Sequence, residues 1–438
     1  KKRRIWPMRK LISNFREELF DLIPCWMASP ESASAIFPMD VAFDLVIFDE
    51  ASQCYAEKGL PAVFRGRQIV IAGDDKQLQP LDIYKVRWED DNDHDIPELE
   101  IDSLLNLAKR HLPEVLLQGH YRSQSPELMD FSNKHFYNGS LTLLPDFHII
   151  NQKEAPIIYR KVEGYWEDNV NTEEGHAVVS LVHHLMEKEP GKSLGVVTFN
   201  ARQQGHILDL MEDYAVARAL DWPSDLFVKN IENVQGDERD IIIFSVAYAP
   251  ERTGKMQMKF GSLNVTGGEN RLNVAISRAR EKIYLITSIV PAQLNVSETK
   301  NEGPKLFKAY MEYAHNVSKG NYVPTSPPHA PQQDNWYLKK YLKEIKVSGK
   351  DISFTERLPF ADLTVEQEEG TYQSLILTDD HTYHESLSPK DPHAYKPFLF
   401  SRKNWRHRQF YSRELWRDRQ QLEEKLVRFV VNSMKEEE

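Results

Sequence analysis

Five short apolar runs, each closed by polar residues, constrain this chain most: FDLVIF at 43–48, QIVIA at 68–72, LGVVT at 194–198, DIIIFSV at 240–246 and KIYLIT at 282–287. Runs of this length bounded by charge read as strands buried on both faces. Amphipathic stretches such as 202–211 lie between them. Strands alternating with helices predict an α/β chain with two parallel sheets. Such strands present chemistry at their carboxyl ends. The first run ends in adjacent carboxylates, Asp49 and Glu50. Taken alone, the pair has two open readings. It closes a strand in a solvated acidic turn, or it pairs an aspartate that holds Mg²⁺ beside a phosphate with a glutamate that activates water.

At 438 residues the chain has room for two or three domains. It has no apolar run able to cross a membrane, and its basic start, KKRRIWPMRK, lacks the features of a secretory signal. Without an initiator Met, the chain is expected to begin inside a longer protein. Cys25 and Cys54 stand in no metal-ligand spacing, which fits a reducing, cytoplasmic setting. A net charge of -11 excludes a uniformly basic nucleic-acid coat but not a local basic channel. The acidic run 89–95 reads as a solvated loop. The segment 318–335, SKGNYVPTSPPHAPQQDN, reads as an extended linker before a compact tail rich in Trp, Tyr and Arg.

The second run leads into GDDKQLQP at 73–80, where Gly73 permits a tight turn and the amide of Gln77 can bond a phosphate or a water. Three arginine-bearing segments follow: HYRS at 120–123, VQGDERD at 234–240 and RLNVAISRAR at 271–280. Planar, permanently charged guanidinium groups suit the charge spread over phosphoryl oxygens in a transition state. A Gly-rich loop ending in Gly-Lys-Ser/Thr, which would cradle the phosphates, does not precede Asp49. The one GKS, at 191–193, leads into a strand and reads as a turn.

These motifs, in this order, resemble superfamily 1 helicases, in the branch of the nonsense-mediated-decay helicase and its bacterial relatives. PCWMASPESAS at 24–34 resembles a nucleic-acid-contacting segment, DEASQ motif II and GDDKQLQP motif III. LQGHYRSQSPEL at 117–128 resembles the segment that opens the second domain, VVTFNARQQ at 196–204 motif IV, VQGDERD motif V and NRLNVAISRAR motif VI. The resemblance implies two RecA-like domains, the first lacking its phosphate loop, that use ATP and Mg²⁺ to step along single-stranded nucleic acid. It implies Asp49 as magnesium ligand, Glu50 as activator of water, Gln77 as sensor of the γ-phosphate, and Arg122 and Arg278 as clamps on it. Gln53, Gly73, Asp74, Gly236 and Glu238 would contact nucleotide, and Ser29, Thr198 and Asn230 the nucleic acid. Movement would run 5′ to 3′, on DNA ahead of RNA, and the phosphate loop would come from an N-terminal remainder, leaving this chain alone inactive.

The tail resembles, more weakly, restriction-endonuclease-like domains of the very-short-patch-repair type. That resemblance implies a metal site on Asp362 with the acidic pair Asp379 and Asp380 and with His384, but Leu377 stands where the family pattern places a glutamate, which leaves a degenerate, DNA-binding or scaffolding fold open beside an active nuclease. The expected boundaries are 1–112 for the first RecA-like part, 113–317 for the second, 318–336 for the linker and 337–438 for the endonuclease-like domain. Two rival functions remain: a metal-dependent nuclease loaded by a helicase module, and a non-catalytic module that binds nucleic acid or docks a partner.

Overall fold

The computed structural model describes residues 6–80, 103–151, 154–256, 260–297, 299–322, 336–347, 351–358, 360–368, 370–386 and 388–434. The acidic run 89–95 and most of the expected linker lie outside them. The chain divides after Leu116 into two compact units.

In the first unit, strands β1 (Phe43–Phe48) and β2 (Gly66–Ile71) pair in parallel, with Phe48 opposite Ile71. The helix Ala56–Val63 makes the crossover between them. One face of the pair is covered, with Phe48, Ala51, Ala62, Leu104 and Leu105 forming a core against Val46 and Ile71. The other face is open, since Leu45 and Ile47 are exposed and Val70, paired with Ile47, is too.

The second unit is built on a five-stranded parallel sheet. After the short parallel pair β3 (Gly119–His120) and β4 (Thr142–Leu143) come β5 (Ile157–Lys161), β6 (Leu194–Thr198), β7 (Phe227–Asn230), β8 (Arg239–Ser245) and β9 (Ala279–Thr287). The order is β5-β9-β8-β6-β7 and every pairing is parallel. All five residues of β6 are buried, as are residues 241–245 of β8. That is why these central strands are written as unbroken apolar runs. The α/β architecture of RecA-like parallel sheets is therefore present as the sequence predicts. The GKS triplet lies where a turn at Gly191 (φ 94°) enters β6, and its Lys192 pairs with Glu281 at 2.5 Å.

The tail belongs to the second unit. Its sheet has the order β10 (Ser353–Thr355), β11 (Leu363–Glu368), β12 (Thr371–Leu377) and β13 (His407–Gln409). The first two pairings are antiparallel and the last is parallel. The helix Arg419–Met434 covers the sheet, burying Leu422, Leu426 and Val430 against Leu363, Val365 and Ile376. A second cluster ties the tail to the parallel-sheet part: Leu144, Phe147 and Ile150 pack on Leu358, Leu375, Leu377, Phe400 and Trp405. Hydrogen bonds reinforce it. The Trp405 indole donates to the Pro145 carbonyl (2.9 Å), the Phe147 N–H donates to Lys403 O (3.0 Å), and Asn151 exchanges two bonds of 2.9 Å with the backbone of Tyr372.

Candidate functional site

Past the ends of β1 and β2 the backbone ladder continues. The Ala72 N–H donates to Phe48 O (2.8 Å), and the Ala51 N–H donates to Ala72 O (2.9 Å). The two strand tips are thereby held together. A Cβ on Gly73 would lie 3.0 Å from Ser52 N and 3.1 Å from Ala51 N, so a larger residue would press on the turn after Glu50. Glu50 itself has φ 51° and ψ 39°, the left-handed region, which costs a residue with a Cβ ~1–3 kcal/mol. Its N–H donates to Asp49 Oδ1 (2.9 Å), and Gln53 Nε2 donates to Glu50 Oε2 (3.3 Å). In the neighbouring turn, Asp74 accepts from the Lys76 N–H (2.9 Å) and from Gln77 Nε2 (3.0 Å), which aims the Gln77 side chain.

Six of the residues singled out in the sequence thus share one pair of strand tips: Asp49, Glu50, Gln53, Gly73, Asp74 and Gln77. Asp49, Glu50 and Gln53 line a cavity of about 880 Å³ whose other walls include Leu45, Ile47 and Lys58. Mg²⁺ is commonly held by one or two carboxylates plus water and substrate phosphates, so the exposed Asp49 carboxylate fits it. Sequence reasoning missed Lys109, which pairs with Asp75 (3.1 Å) and Glu114 (3.0 Å). Burial works against its charge, but these two carboxylates outweigh it and raise its pKa.

In the second unit, three segments remote in sequence converge. The Gln124 N–H donates to Arg280 O (2.8 Å) and the Arg239 N–H to Arg278 O (3.2 Å). A register shift between Arg239 and Ile241 re-aims the start of β8, and Gly236 (φ 82°) provides the turn before it. Glu238 then receives two arginines: Arg122 Nε on one oxygen (2.7 Å) and Arg280 on the other. Arg280 most of all, then Arg122, hold its carboxyl below the ordinary range. Arg278 is buried at 4% exposure, with its Nε–H bonded to Val274 O (2.9 Å). Beside them, burial chiefly, then Arg122 and Lys403, lowers His120 to about 4, and its Nε2 accepts from the Ser123 N–H (3.1 Å).

The residues expected to contact nucleic acid differ in exposure. Ser29 is exposed and caps the helix Pro30–Ile36, accepting from the Ser32 N–H (3.2 Å). Thr198 is fully buried and donates its hydroxyl to Asn200 O (2.9 Å), and Asn230, 6% exposed, accepts from the Glu232 N–H (3.0 Å). Both serve the ends of β6 and β7. Behind them lies a buried network the motifs did not reveal. Glu174, with no exposed surface, accepts from the Ala247 N–H (2.6 Å), Ser245 (3.1 Å) and Asn171 (3.2 Å). Burial pushes its carboxyl up to about 7. The Asn-x-x-Glu spacing at 171–174, a helix-capping pattern, was the available signal.

In the tail, Asp362 and Asp379 have different partners. Asp379 is taken by Ser412, whose N–H (2.9 Å) and hydroxyl (2.7 Å) both donate to it. Asp362 instead accepts from the Thr378 N–H (2.5 Å) and faces Asp380; burial, then that neighbouring charge, raises its pKa. Leu377, at the position of the missing glutamate, is buried in the cluster that docks the tail. Among the described residues, no group of three or more His, Cys, Asp or Glu side chains could hold a metal ion. Asp362 thus sits with Asp380, and Asp379 with Ser412.

Residues 27–84 and 101–289 each match a family described as AAA domain. The first holds the strand tips with Asp49 and Gln77, and the second holds Arg122, Glu238 and Arg278. Similar curated proteins include two uncharacterized ATP-dependent helicases. The Mycoplasma pneumoniae protein is 36% identical over 67% of this chain and 28% of its own length; that of Mycoplasma genitalium is 35% identical over 69% and 28%. A third, from Methanocaldococcus jannaschii, is 30% identical over 56% of this chain and 36% of its own. The chain thus spans about a third or less of these relatives. A solved arterivirus helicase in complex with DNA is 12% identical, covers 55% of this chain and 39% of that one, and has a TM-score of 0.28. Among the described residues, no helix is long and apolar enough to cross a membrane.

Proposed function

We propose that this chain supplies the motif II to motif VI portion of a superfamily 1, ATP-dependent helicase that acts on single-stranded nucleic acid, DNA ahead of RNA, and moves 5′ to 3′. The observation that carries the reading is the strand-tip cluster, with Glu50 in a left-handed conformation between Asp49 and Gln53 and with Gln77 aimed by Asp74. Backbone strain of this kind concentrates at functional sites.

In this reading Asp49 holds the Mg²⁺ of the bound nucleotide, which would neutralise charge on the phosphate oxygens. Glu50, oriented by Gln53, accepts a proton from the attacking water. Gln77 positions that water or the terminal phosphate. Arg122 and Arg278 supply positive charge from the second AAA segment, and Glu238 keeps Arg122 and Arg280 apart and oriented.

The test is ATP turnover by the full-length protein with and without single-stranded oligonucleotide. Strand-stimulated hydrolysis is expected, and Glu50→Gln should lower it by about 10²-fold or more, in the range of a lost general base, with nucleotide binding retained. Undiminished turnover by that variant would sink the assignment.

A further inference from the structure

The tail carries a charged groove that the hydrolytic reading does not use. It measures about 660 Å³ and lies among strand β13, the short helix Ser412–Arg417 and the helix Arg419–Met434. Five cations line it: Arg408, Arg413, Arg417, Lys425 and Arg428. Three acids share the wall, and each is engaged. Glu414 pairs with Lys425 (2.7 Å), Asp418 accepts from the Gln421 N–H (3.0 Å), and Glu424 accepts from Gln420 (3.2 Å). Arg408, Arg413, Arg417 and Arg428 form no ion pair among the described residues, and the last three are exposed. Residues 402–428 hold nine Lys and Arg against four Asp and Glu, a local excess of five positive charges in a chain of net -11.

Beside these cations stands a flat aromatic surface. Trp416, 66% exposed, stacks on Tyr337, 49% exposed, with ring centroids 5.3 Å apart and planes 12° apart. Arg413, Trp416 and Arg417 fall at i, i+3 and i+4 of one helix, so they share a face. Exposed guanidinium groups beside an exposed indole match the two needs of single-strand recognition: phosphate neutralisation and a platform for unstacked bases. An acidic protein would use the charge but leave the indole unexplained. A duplex would hide its base faces from it.

We propose that this groove and the Trp416–Tyr337 platform bind single-stranded nucleic acid, giving the tail a binding surface of its own. The proposal shares no residue with the candidate hydrolysis site and stands or falls separately from it. The tail becomes a strand-holding module.

The probe is a fluorescein-labelled oligo(dT) of twenty nucleotides, titrated with this chain without nucleotide and followed by anisotropy over a range of salt. Combining Arg413→Glu, Arg417→Glu and Arg428→Glu should weaken binding by about tenfold or more and reduce the salt slope by about two, near 0.7 per phosphate lost. Trp416→Ala should weaken binding by about fivefold or more, with Trp416→Phe restoring most of it, as a stacking contact requires. All four positions are exposed, and the glutamine versions of the triple variant guard against a fold disturbed by charge reversal. In the full-length protein the triple variant should keep its basal ATP hydrolysis, even if the hydrolytic reading fails for other variants. Unchanged affinity and slope in both triple variants would overturn the proposal. So would poly-glutamate binding the wild type as tightly as the oligonucleotide and losing its affinity in the same variants, which would make the surface a site for acidic protein.

Discussion

Arg122 and Glu238 meet at 2.7 Å across more than a hundred residues of sequence, and Arg280 occupies the other oxygen of the same carboxylate. The glutamate therefore spaces two arginines that would otherwise repel. In the full-length protein, Glu238→Ala is expected to lower kcat for ATP by about 10-fold or more, since misplaced positioning groups cost rate steeply. A smaller effect is expected for Glu238→Gln. The check is steady-state hydrolysis of both variants; equal, wild-type kcat values would remove the spacing role.

Arg278 differs from its neighbour in being buried, with Nε anchored to Val274 O. The proposed function assigns this anchored guanidinium to the terminal phosphate. Arg278→Ala in the full-length protein should cut ATP turnover by about 10³-fold or more, the scale of a lost arginine finger, while single-strand binding stays largely intact. Normal turnover would strike it from the site.

Gly73 faces two backbone nitrogens, and backbone cannot swing away as a side chain can. Gly73→Ala is expected to destabilise by ~1–3 kcal/mol through overpacking and to depress hydrolysis by separating the strand tips. Chemical denaturation together with ATP turnover tests this, and an alanine variant of full stability and rate would show that the tips have slack.

Glu174 gives a pH dependence of definite sign. Its folded-state pKa, about 7, lies above the ordinary 4.5. Its contribution is fully present below pH 4.5 and is lost as pH rises through 7, because the folded protein binds the proton that the unfolded chain has released. The stability of Glu174→Gln relative to wild type should therefore rise by up to about 3 kcal/mol between pH 4.5 and pH 8. His120, depressed to about 4, has the opposite sign, its contribution being lost as pH falls from 6.5 toward 4. Urea midpoints of the Glu174→Gln and wild-type chains at several pH values separate the two groups. A pH-independent difference would contradict the assignment.

Trp405 joins the tail to the segment that braces Arg122. It donates to Pro145 O, while the next residue, Asp146, donates its N–H to Gln124 O (2.9 Å). Trp405→Ala should cost ~3–5 kcal/mol at the cluster. Hydrogen exchange of the amides at 142–147 and 119–124 is then expected to accelerate together. Exchange confined to the tail would show that the brace is not shared.

The central strands were legible because burial on both faces leaves few polar positions, and β6 and β8 show that directly. The edge strands β5 and β7 carry Arg160, Lys161 and Lys229, so they gave no apolar run to read. Local motifs placed Asp49, Glu50 and Gln77 because one turn holds each group. Long-range pairing did not announce itself: nothing local in VQGDERD says that Glu238 will receive Arg122. The partners of the tail's aspartates were hidden for a related reason. Asp379 and Asp380 are adjacent, and only the position of Ser412 and Asp362 around them decides which turns outward to a helix end and which turns inward.

A glutamate at φ 51° is a poor choice for the resting fold. Glycine at that place would relieve the backbone, and Glu50→Gly is expected to make the protein harder to unfold by up to ~1 kcal/mol. Random substitution thus has a downhill route at this position, and it leads away from the carboxylate. A chain that keeps Glu50 gives up some endurance to hold a carboxylate, and not a bare glycine, at this strand tip.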